Sequence, residues 1–312
     1  MTLKKTDEML QVFIDDTKIA EIEKAINITA EMQLSAMRIA REGMTEAAVA
    51  GIVHSVAISG GGNIAFPIIF TTNGQILHNH YKNKILPQGR RVLCDCGAET
   101  ELHYAGDLTR TFPVDNRFTD EQREVYDIVL NAHDAAVKAL KPQTPFKEVH
   151  ITACEKLVEG LQQLGLMKGD VKEAVMAGAH ALFFQCGLGH MMGLDVHDME
   201  NLGEAYVGYN DDIKKSTQFG LKSLRLAKPL ETGFVLTVEP GLYFIPELID
   251  MWAAEKKLEQ FINYEKVQTF KNFGGIRVEN DYLITENGSR LLGDPLPITI
   301  DEVETIRLSA GS

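Results

Sequence analysis

The chain has 312 residues, of which 45% are hydrophobic and 24% charged, and its formal net charge is −13. This composition is ordinary for a folded globular protein, with enough length for one large core or two small ones. The acidic balance argues against partners that select basic surfaces, so we expect no nucleic acid and no membrane among the partners. No run of residues approaches the roughly 20 apolar residues that a membrane span requires.

The cysteines and the first residues bear on the compartment. The four cysteines are Cys94, Cys96, Cys154 and Cys186, and none of them shows the paired spacing of a CxxC metal motif. The opening residues MTLKKTDEMLQVFIDD contain no apolar stretch of a signal peptide. We therefore expect a reducing, cytoplasmic location.

Helical periodicity dominates the first 183 residues. Thr45 is placed as an N-cap, and Thr119-Asp-Glu-Gln122 has the pattern of a capping box. The predicted helices cover 17–41, 45–57, 119–140, 146–164 and 170–183, and shorter ones are expected at 246–262 and 301–308.

A β-hairpin is predicted between the second and third helices, from RVLCDCG (91–97) and LHYAGDLTRTFP (102–113). A hairpin centred on residue 101 would place Asp95 directly opposite Asp107. Two carboxylates at that spacing repel by about 4 kcal/mol at an effective dielectric near 20. Such a pair is expected to need a cation or a raised pKa, although a one-residue slip would separate the two faces.

Two later strands each carry a glutamate at their centre. In FVLTVEPG (234–241) the residues alternate around Glu239, and in GGIRVENDYLIT (274–285) they alternate around Glu279. Each glutamate lies on the face opposite the aliphatic residues of its strand. The two strands could simply expose their glutamates, or they could share a cation site. Helices followed by strands with two acids also occur twice along the chain.

Between the two pairs of acids lies QCGLGHMMGLDVHD (185–198), where closely spaced glycines flank His190 and His197-Asp198 follows. A glycine-rich turn with a chance histidine is the alternative. Asp95, Asp107, His190, Glu239 and Glu279 together could hold two divalent ions. The oxygen-rich set favours manganese or another fairly hard first-row ion over a thiolate-type zinc site. Two metal ions suit amide hydrolysis, because they can share a hydroxide and polarise a carbonyl.

The motifs GLGHMMGLDVHD, TVEPGLYF and GGIRVENDYLIT, with the Asp95/Asp107 hairpin, closely resemble the pita-bread metallopeptidases. KSLRLAKPLETGFVLTVEPGLYF looks most like the prolidase and Xaa-Pro aminopeptidase branch of that family. The resemblance implies an α+β pita-bread fold, with a pseudo-two-fold, curved, mostly antiparallel sheet backed by helices. It also implies an N-terminal segment (1–16) and a catalytic domain (17–312), without the N-terminal domain that this branch usually carries.

The same resemblance implies roles for individual residues. Asp95 would hold one metal ion, His190 and Glu239 the other, and Asp107 and Glu279 would bridge them. Glu239 would carry the proton beside a bridging hydroxide. His78 would hydrogen-bond the peptide or the leaving proline nitrogen, and His197 would polarise the scissile carbonyl. Arg277 would orient Glu279 and border the substrate, and Arg225 would bind the substrate carboxylate.

The implied function is hydrolysis of Xaa-Pro bonds in dipeptides or at peptide N-termini, with two manganese ions favoured and zinc or cobalt as alternatives. The expected partners are short proline-containing peptides and a second copy of the chain in a homodimer. Cys186 departs from the family pattern, because many members have a histidine there. The main alternative is a non-catalytic peptide-binding module on the same fold, and creatinase-like hydrolysis of an amidino compound is a third reading.

Overall fold

Helices and short antiparallel strands follow one another in an order that occurs twice along the chain. The structure is a computed structural model and describes residues 16–80 and 82–309. Its α-helices are α1 (Asp16–Ile39), α2 (Glu46–Ser59), α3 (Asp120–Ala139), α4 (Phe146–Gln163), α5 (Val171–Met176), α6 (Glu204–Gly208), α7 (Pro246–Ala254), α8 (Tyr264–Gln268) and α9 (Ile300–Ser309). Three single-turn 3₁₀ helices cover Ala179–Leu182, Glu200–Leu202 and Leu221–Ser223.

Within the described residues, ten short strands form four small antiparallel sheets. The strands are β1 (Asn63–Ile64), β2 (Ile69–Thr71), β3 (Arg91–Cys96), β4 (Ala98–Glu99), β5 (Leu108–Pro113), β6 (Val235–Val238), β7 (Gly241–Tyr243), β8 (Gly275–Arg277), β9 (Asn280–Ile284) and β10 (Ser289–Leu291). The first half supplies β1-β4 and β2-β3-β5, and the second half supplies β7-β8 and β6-β9-β10. The structure is therefore α+β, as the sequence predicted.

The predicted helix starts are confirmed in atomic detail. The Thr45 side chain accepts a hydrogen bond from the backbone N–H of Ala48, which caps α2. At the start of α3, the Thr119 and Gln122 side chains each accept from the backbone N–H of the other, so the capping box is complete. These bonds satisfy N–H groups that the first helical turn leaves without a partner.

The helix predicted over 170–183 is wrong in its second half. Helix α5 ends at Met176, and the chain turns at Gly178, where φ is +81°. That left-handed conformation suits glycine and interrupts a right-handed helix. The 3₁₀ turn Ala179–Leu182 then leads towards the glycine-rich segment.

The β3–β5 hairpin forms, but the predicted register is wrong by two residues. Asp95 lies opposite Thr109 and Cys96 lies opposite Leu108, so Asp107 is one pair further towards the tip. The bridge between Glu99 and Ala105 continues the same register, which centres the turn on residue 102. A shift of two residues preserves the face of each side chain, so Asp95 and Asp107 still point to the same side.

Strand β5 joins the two halves of the molecule. The backbone N–H of Glu279 donates to the Thr109 carbonyl at 3.1 Å. The Thr111 hydroxyl donates to the Arg277 carbonyl at 2.9 Å and accepts from the Arg277 N–H at 3.1 Å. Glu279 is thereby fixed beside the acids of the first half.

Helices pack in pairs on the sheets and bury their apolar faces. Helices α1 and α2 form one pair, and α3 and α4 form another. Gly160 allows the close approach of α4 to α3, since a Cβ there would lie 2.5 Å from the Ile128 side chain. Within the described residues, no helix combines the length and apolar character that crossing a bilayer demands.

One buried histidine makes the stability depend on pH. His133 on α3 lies in the core, with its Nε2 atom 3.3 Å from the Tyr282 hydroxyl, and burial lowers its pKa below the ordinary 6.5. The unfolded chain therefore binds a proton below pH 6.5 that the folded chain does not bind, so stability decreases as pH falls. The unfolding free energy of His133→Phe, relative to that of the wild type, is expected to rise by up to about 1.4 kcal/mol for each pH unit below pH 6.5.

The measurement is urea unfolding of both proteins at several pH values. Between pH 7 and 8 the difference in unfolding free energy should be constant, which provides the internal control. A difference that stays constant down to pH 5 would contradict a neutral, buried His133.

Candidate active site

One cavity collects every site residue that the sequence singled out. Its volume is about 410 Å³. The lining includes Asp95, Asp107, His190, Glu239 and Glu279 from the expected metal set, and His78, His197, Arg225 and Arg277 from the expected substrate set. Cys186, Phe66 and Leu77 also contribute to the wall.

The four carboxylates come from four different places in the fold. Asp95 is on β3 and Asp107 directly precedes β5. Glu239 lies in the gap between β6 and β7, and Glu279 lies in the gap between β8 and β9. The sequence predicted two continuous strands here, whereas each strand is interrupted at its glutamate. The interruptions leave the glutamates at the ends of strands, beside the β3–β5 hairpin.

The glycine-rich segment brings His190 against β6. A Cβ on Gly189 would lie 2.0 Å from the Thr237 carbonyl oxygen, so only glycine allows this approach. The His190 N–H donates to the Thr237 hydroxyl at 3.1 Å, and the Thr237 N–H donates to the His190 carbonyl at 3.0 Å. These bonds fix the backbone of His190 at the floor of the cavity.

The His190 ring is oriented towards the acids. Its Nδ1 atom lies 3.0 Å from the Met191 carbonyl, which suits a proton on Nδ1 and a lone pair on Nε2. Nε2 lies 3.5 Å from Asp107 Oδ2 and 3.6 Å from Glu239 Oε1. An imidazole held by a backbone carbonyl in this way is a typical arrangement for a metal ligand.

Asp107, His190 and Glu279 have the geometry and the electrostatics of a cation site. Their ligand atoms all lie within 4.8 Å of one another, and all three residues are buried. Burial and the neighbouring carboxylates raise the pKa of Asp107 and of Glu279 well above the usual range. Asp107 Oδ1 has no hydrogen-bond partner among the described residues. Because buried carboxylates need a compensating charge, these residues fit a bound metal ion.

Arg277 contributes a positive charge at the cavity wall. Its guanidinium pairs with Asp95 and donates to the Tyr243 hydroxyl at 3.0 Å and the Thr109 hydroxyl at 3.0 Å. Its Nε atom is 3.9 Å from Glu279 Oε2, so Asp95 is its closer carboxylate. The sequence predicted that Arg277 would orient Glu279 instead, because residues two apart in an unbroken strand share a face.

The mouth of the cavity carries His78, His197 and Arg225. The His197 ring packs edge-on against His190, with centroids 4.3 Å apart, and its Nδ1 atom is 3.6 Å from Glu200. Burial, followed by His190, lowers the pKa of His197 to about 3, and burial also lowers the pKa of His78. Both imidazoles are therefore neutral near pH 7. Arg225 Nη1 donates to Glu200 at 2.5 Å.

Comparison with known proteins identifies the family of the chain. The sequence model of metallopeptidase family M24 matches residues 20–286. The chain belongs to this family. Its M24 relatives include an Xaa-Pro dipeptidase of Rattus norvegicus, 33% identical over 94% of this chain, and an Xaa-Pro aminopeptidase of Escherichia coli, 34% identical over 96% of it.

Solved M24 structures share the fold. Escherichia coli aminopeptidase P, in a complex with substrate, superposes with a TM-score of 0.79 at 34% identity, covering 97% of this chain and 61% of that one. Pseudomonas aeruginosa aminopeptidase PepP superposes with a TM-score of 0.79 at 28% identity, covering 98% of this chain and 62% of that one. The chain spans 60% of the length of both the rat and the Escherichia coli relatives.

Three residues that contact the site residues were not predicted from the sequence. Asp281 is fully buried, and its carboxylate accepts from the Asp107 N–H at 3.2 Å. Burial raises its pKa to about 8. The Thr109 hydroxyl donates to Glu279 Oε2 at 2.6 Å, and Tyr243 holds Arg277. The spacing of Asp281, two residues beyond Glu279, was the available signal.

Proposed function

We propose that this M24 chain is a metallo-exopeptidase that hydrolyses Xaa-Pro peptide bonds. The observation that carries the proposal is the convergence of four carboxylates and His190 on one cavity, with two of the acids buried and short of counter-charge. The relatives named Xaa-Pro dipeptidase and Xaa-Pro aminopeptidase support the choice of substrate. The proposed framework is a pita-bread catalytic domain over residues 17–312, with a curved, pseudo-two-fold sheet.

Two divalent ions fit the donor set. Asp95 would hold one ion, His190 and Glu239 the other, and Asp107 and Glu279 would be shared between them. Manganese is favoured because four of the five donors are carboxylates, which suit harder ions. When bound, the two ions supply activation of water and polarisation of the scissile carbonyl. They would also neutralise the buried carboxylates, whose pKa burial and neighbouring acids raise.

The protein side chains position the peptide and move protons. Glu239 faces the cavity, and the Thr237 hydroxyl donates to it at 3.3 Å, so its carboxylate is held where it can accept and return a proton. His197 would donate a hydrogen bond to the carbonyl oxygen as negative charge develops there. His78, which also lines the cavity, would contact the peptide or the proline nitrogen.

The rival proposal is a peptide-binding module on the same fold, and the donor set disfavours it. A binding module has no need of five converging metal donors, whereas hydrolysis requires them. The homodimer expected from the sequence stays a prediction.

The deciding experiment combines metal analysis with a substrate panel. The purified chain, loaded with manganese and then desalted, should retain about two metal ions and should cleave Xaa-Pro dipeptides or longer Xaa-Pro peptides. A chelator should abolish cleavage. Stable metal binding without cleavage of any member of the panel would favour the binding module. Absence of metal binding would overturn the assignment of the site.

Arg225 is expected to separate dipeptides from longer substrates. A dipeptide ends in a carboxylate just past the scissile bond, whereas a longer peptide has an amide there. A guanidinium aimed at that carboxylate gains a charge-assisted bond of about 1.5–3 kcal/mol, which is roughly 10–150-fold in kcat/KM. We expect Arg225→Ala to lower turnover of Xaa-Pro dipeptides by this factor and to spare longer peptides.

Glu200 competes with a substrate carboxylate for Arg225, and its replacement provides a second test of the same contact. Arg225 is held at the cavity mouth by Glu200, and Glu204 Oε2 is 3.8 Å away, so a substrate carboxylate would have to share or displace Glu200. Glu200→Gln should therefore strengthen dipeptide binding if Arg225 meets the substrate. Equal losses for both substrate lengths in Arg225→Ala would rule out this discrimination.

A further inference from the structure

A second group of potential metal ligands lies outside the active-site cavity. His150 and Cys154 are one turn apart on α4, and His180 is in the 3₁₀ turn Ala179–Leu182. One ligand atom from each residue lies within 4.8 Å of the other two, and all three side chains are buried. His150 Nε2 is 3.4 Å from Cys154 Sγ. None of these residues lines the cavity described above.

The polar atoms of this group are poorly satisfied. In the part of the chain that the structure describes, neither ring nitrogen of His180 makes a hydrogen bond of normal geometry, although the Val175 backbone carbonyl is close enough to interact with the ring, and His150 Nδ1 has no partner. His180 is 3% exposed and His150 is 1% exposed, so bulk solvent does not reach either ring. A buried polar nitrogen without a partner is costly, and apolar residues would fill the same space without that cost. A metal ion, which accepts nitrogen lone pairs, would remove this cost.

The protonation states suit a metal ion. Burial lowers the pKa of His150 to about 3 and of His180 to about 4, so both rings are neutral and carry a free lone pair. Burial, and then the nearby charge of Glu155, raises the pKa of the Cys154 thiol. The thiol is therefore protonated in the absence of a ligand, and a cation bound there would displace its proton.

We propose that His150, Cys154 and His180 form a separate binding site for a thiophilic metal ion of the zinc class. Two imidazoles and one thiolate are ligands that zinc accepts, whereas manganese prefers oxygen donors. In such a site the metal–nitrogen distances are about 2.0–2.1 Å and the metal–sulfur distance about 2.3 Å, which places ligand atoms roughly 3.3–3.7 Å apart. The His150–Cys154 separation of 3.4 Å already lies in this range, and a His180 ligand atom lies within 4.8 Å of the ligand atoms of both.

The position of the site gives it a structural consequence. It would link α4 to His180, which lies ten residues before His190. The Phe184 ring lies 5.6 Å from the His150 ring, between centroids, and adds an apolar wall. Zinc would therefore fasten the segment leading to the active site against the helical layer, without contacting substrate. Binding is a ligand exchange, in which the ion replaces the thiol proton and nothing is oxidised or reduced.

Cobalt absorption tests the site directly. The whole chain, stripped with a chelator and titrated with Co²⁺, should develop a thiolate-to-cobalt charge-transfer band in the near ultraviolet. Zn²⁺ should abolish this band, and an equal concentration of Mn²⁺ should not. Absence of the band in the wild-type protein at saturating Co²⁺ would overturn the proposal, and this outcome requires no variant.

Two cysteine variants assign the band. Cys154→Ser should lose it, whereas Cys186→Ser should keep it, because Cys186 lies at the wall of the active-site cavity. The reverse result would place the thiolate ligand in the active site and refute the second site. Circular dichroism verifies that both variants fold. Elemental analysis after desalting should show one zinc fewer per chain in Cys154→Ser than in Cys186→Ser, and equal zinc contents would also refute it.

Discussion

Glu239→Gln is expected to lower kcat/KM for Xaa-Pro peptides by about 10²–10⁴-fold, the usual contribution of a positioned acid or base. Glutamine keeps the shape of the side chain but cannot take up a proton, and it is a weaker metal ligand. Glu239 suits proton transfer because its side chain is 20% exposed, against 2% for Glu279. It is the acid of the cluster that substrate can reach most easily.

Steady-state kinetics and metal analysis on the same preparation provide the measurement. Glu231→Gln is the matched control, because Glu231 is an exposed glutamate just before β6 and lies outside the active-site cavity. That variant should keep wild-type turnover and metal content. Full activity in Glu239→Gln would show that Glu239 does not transfer the proton. A loss in both variants would point to a general effect on β6.

The sequence predicted the members of the site better than their geometry. Alternation placed Asp95 and Asp107 on one face, and a two-residue error in register preserved that result. The error itself comes from the hairpin tip, where the sequence offered no strong two-residue turn signal. Strand parity also identified Glu239 and Glu279 as a matched pair, although it could not show that each interrupts its strand.

The periodicity of the sequence could not predict contacts between residues that are far apart along the chain. Arg277 pairs with Asp95, 182 residues earlier in the chain, because β5 brings the two halves together. Asp281 is buried against the backbone of Asp107 for the same reason. The sequence alone reads such a carboxylate as a solvent-exposed strand residue. Likewise, His180 joins His150 and Cys154 only because the chain turns at Gly178, where a continuous helix had been predicted.

His197→Ala is expected to lower kcat by about 10²–10³-fold while leaving metal binding intact, as for loss of one hydrogen-bond donor to a developing oxyanion. The structure makes the donor role feasible, because the ring packs on His190 at 4.3 Å and therefore borders the metal cluster. Its Nδ1 atom is 3.6 Å from Glu200, beyond hydrogen-bond distance, so neither ring nitrogen is committed to that acid.

The decisive comparison is between His197→Ala and His197→Gln, each assayed for kcat, KM and metal content. The glutamine amide restores an N–H donor of similar reach, so it should recover part of the lost kcat. A purely structural role would instead alter folding or metal content in both variants alike. If His197→Ala retains full activity, or if it loses metal, His197 is not the donor to the carbonyl. A kcat loss that glutamine partly reverses, at unchanged metal content, would leave the hydrogen bond as the remaining explanation, since Gln and Ala differ here chiefly in the presence of a donor.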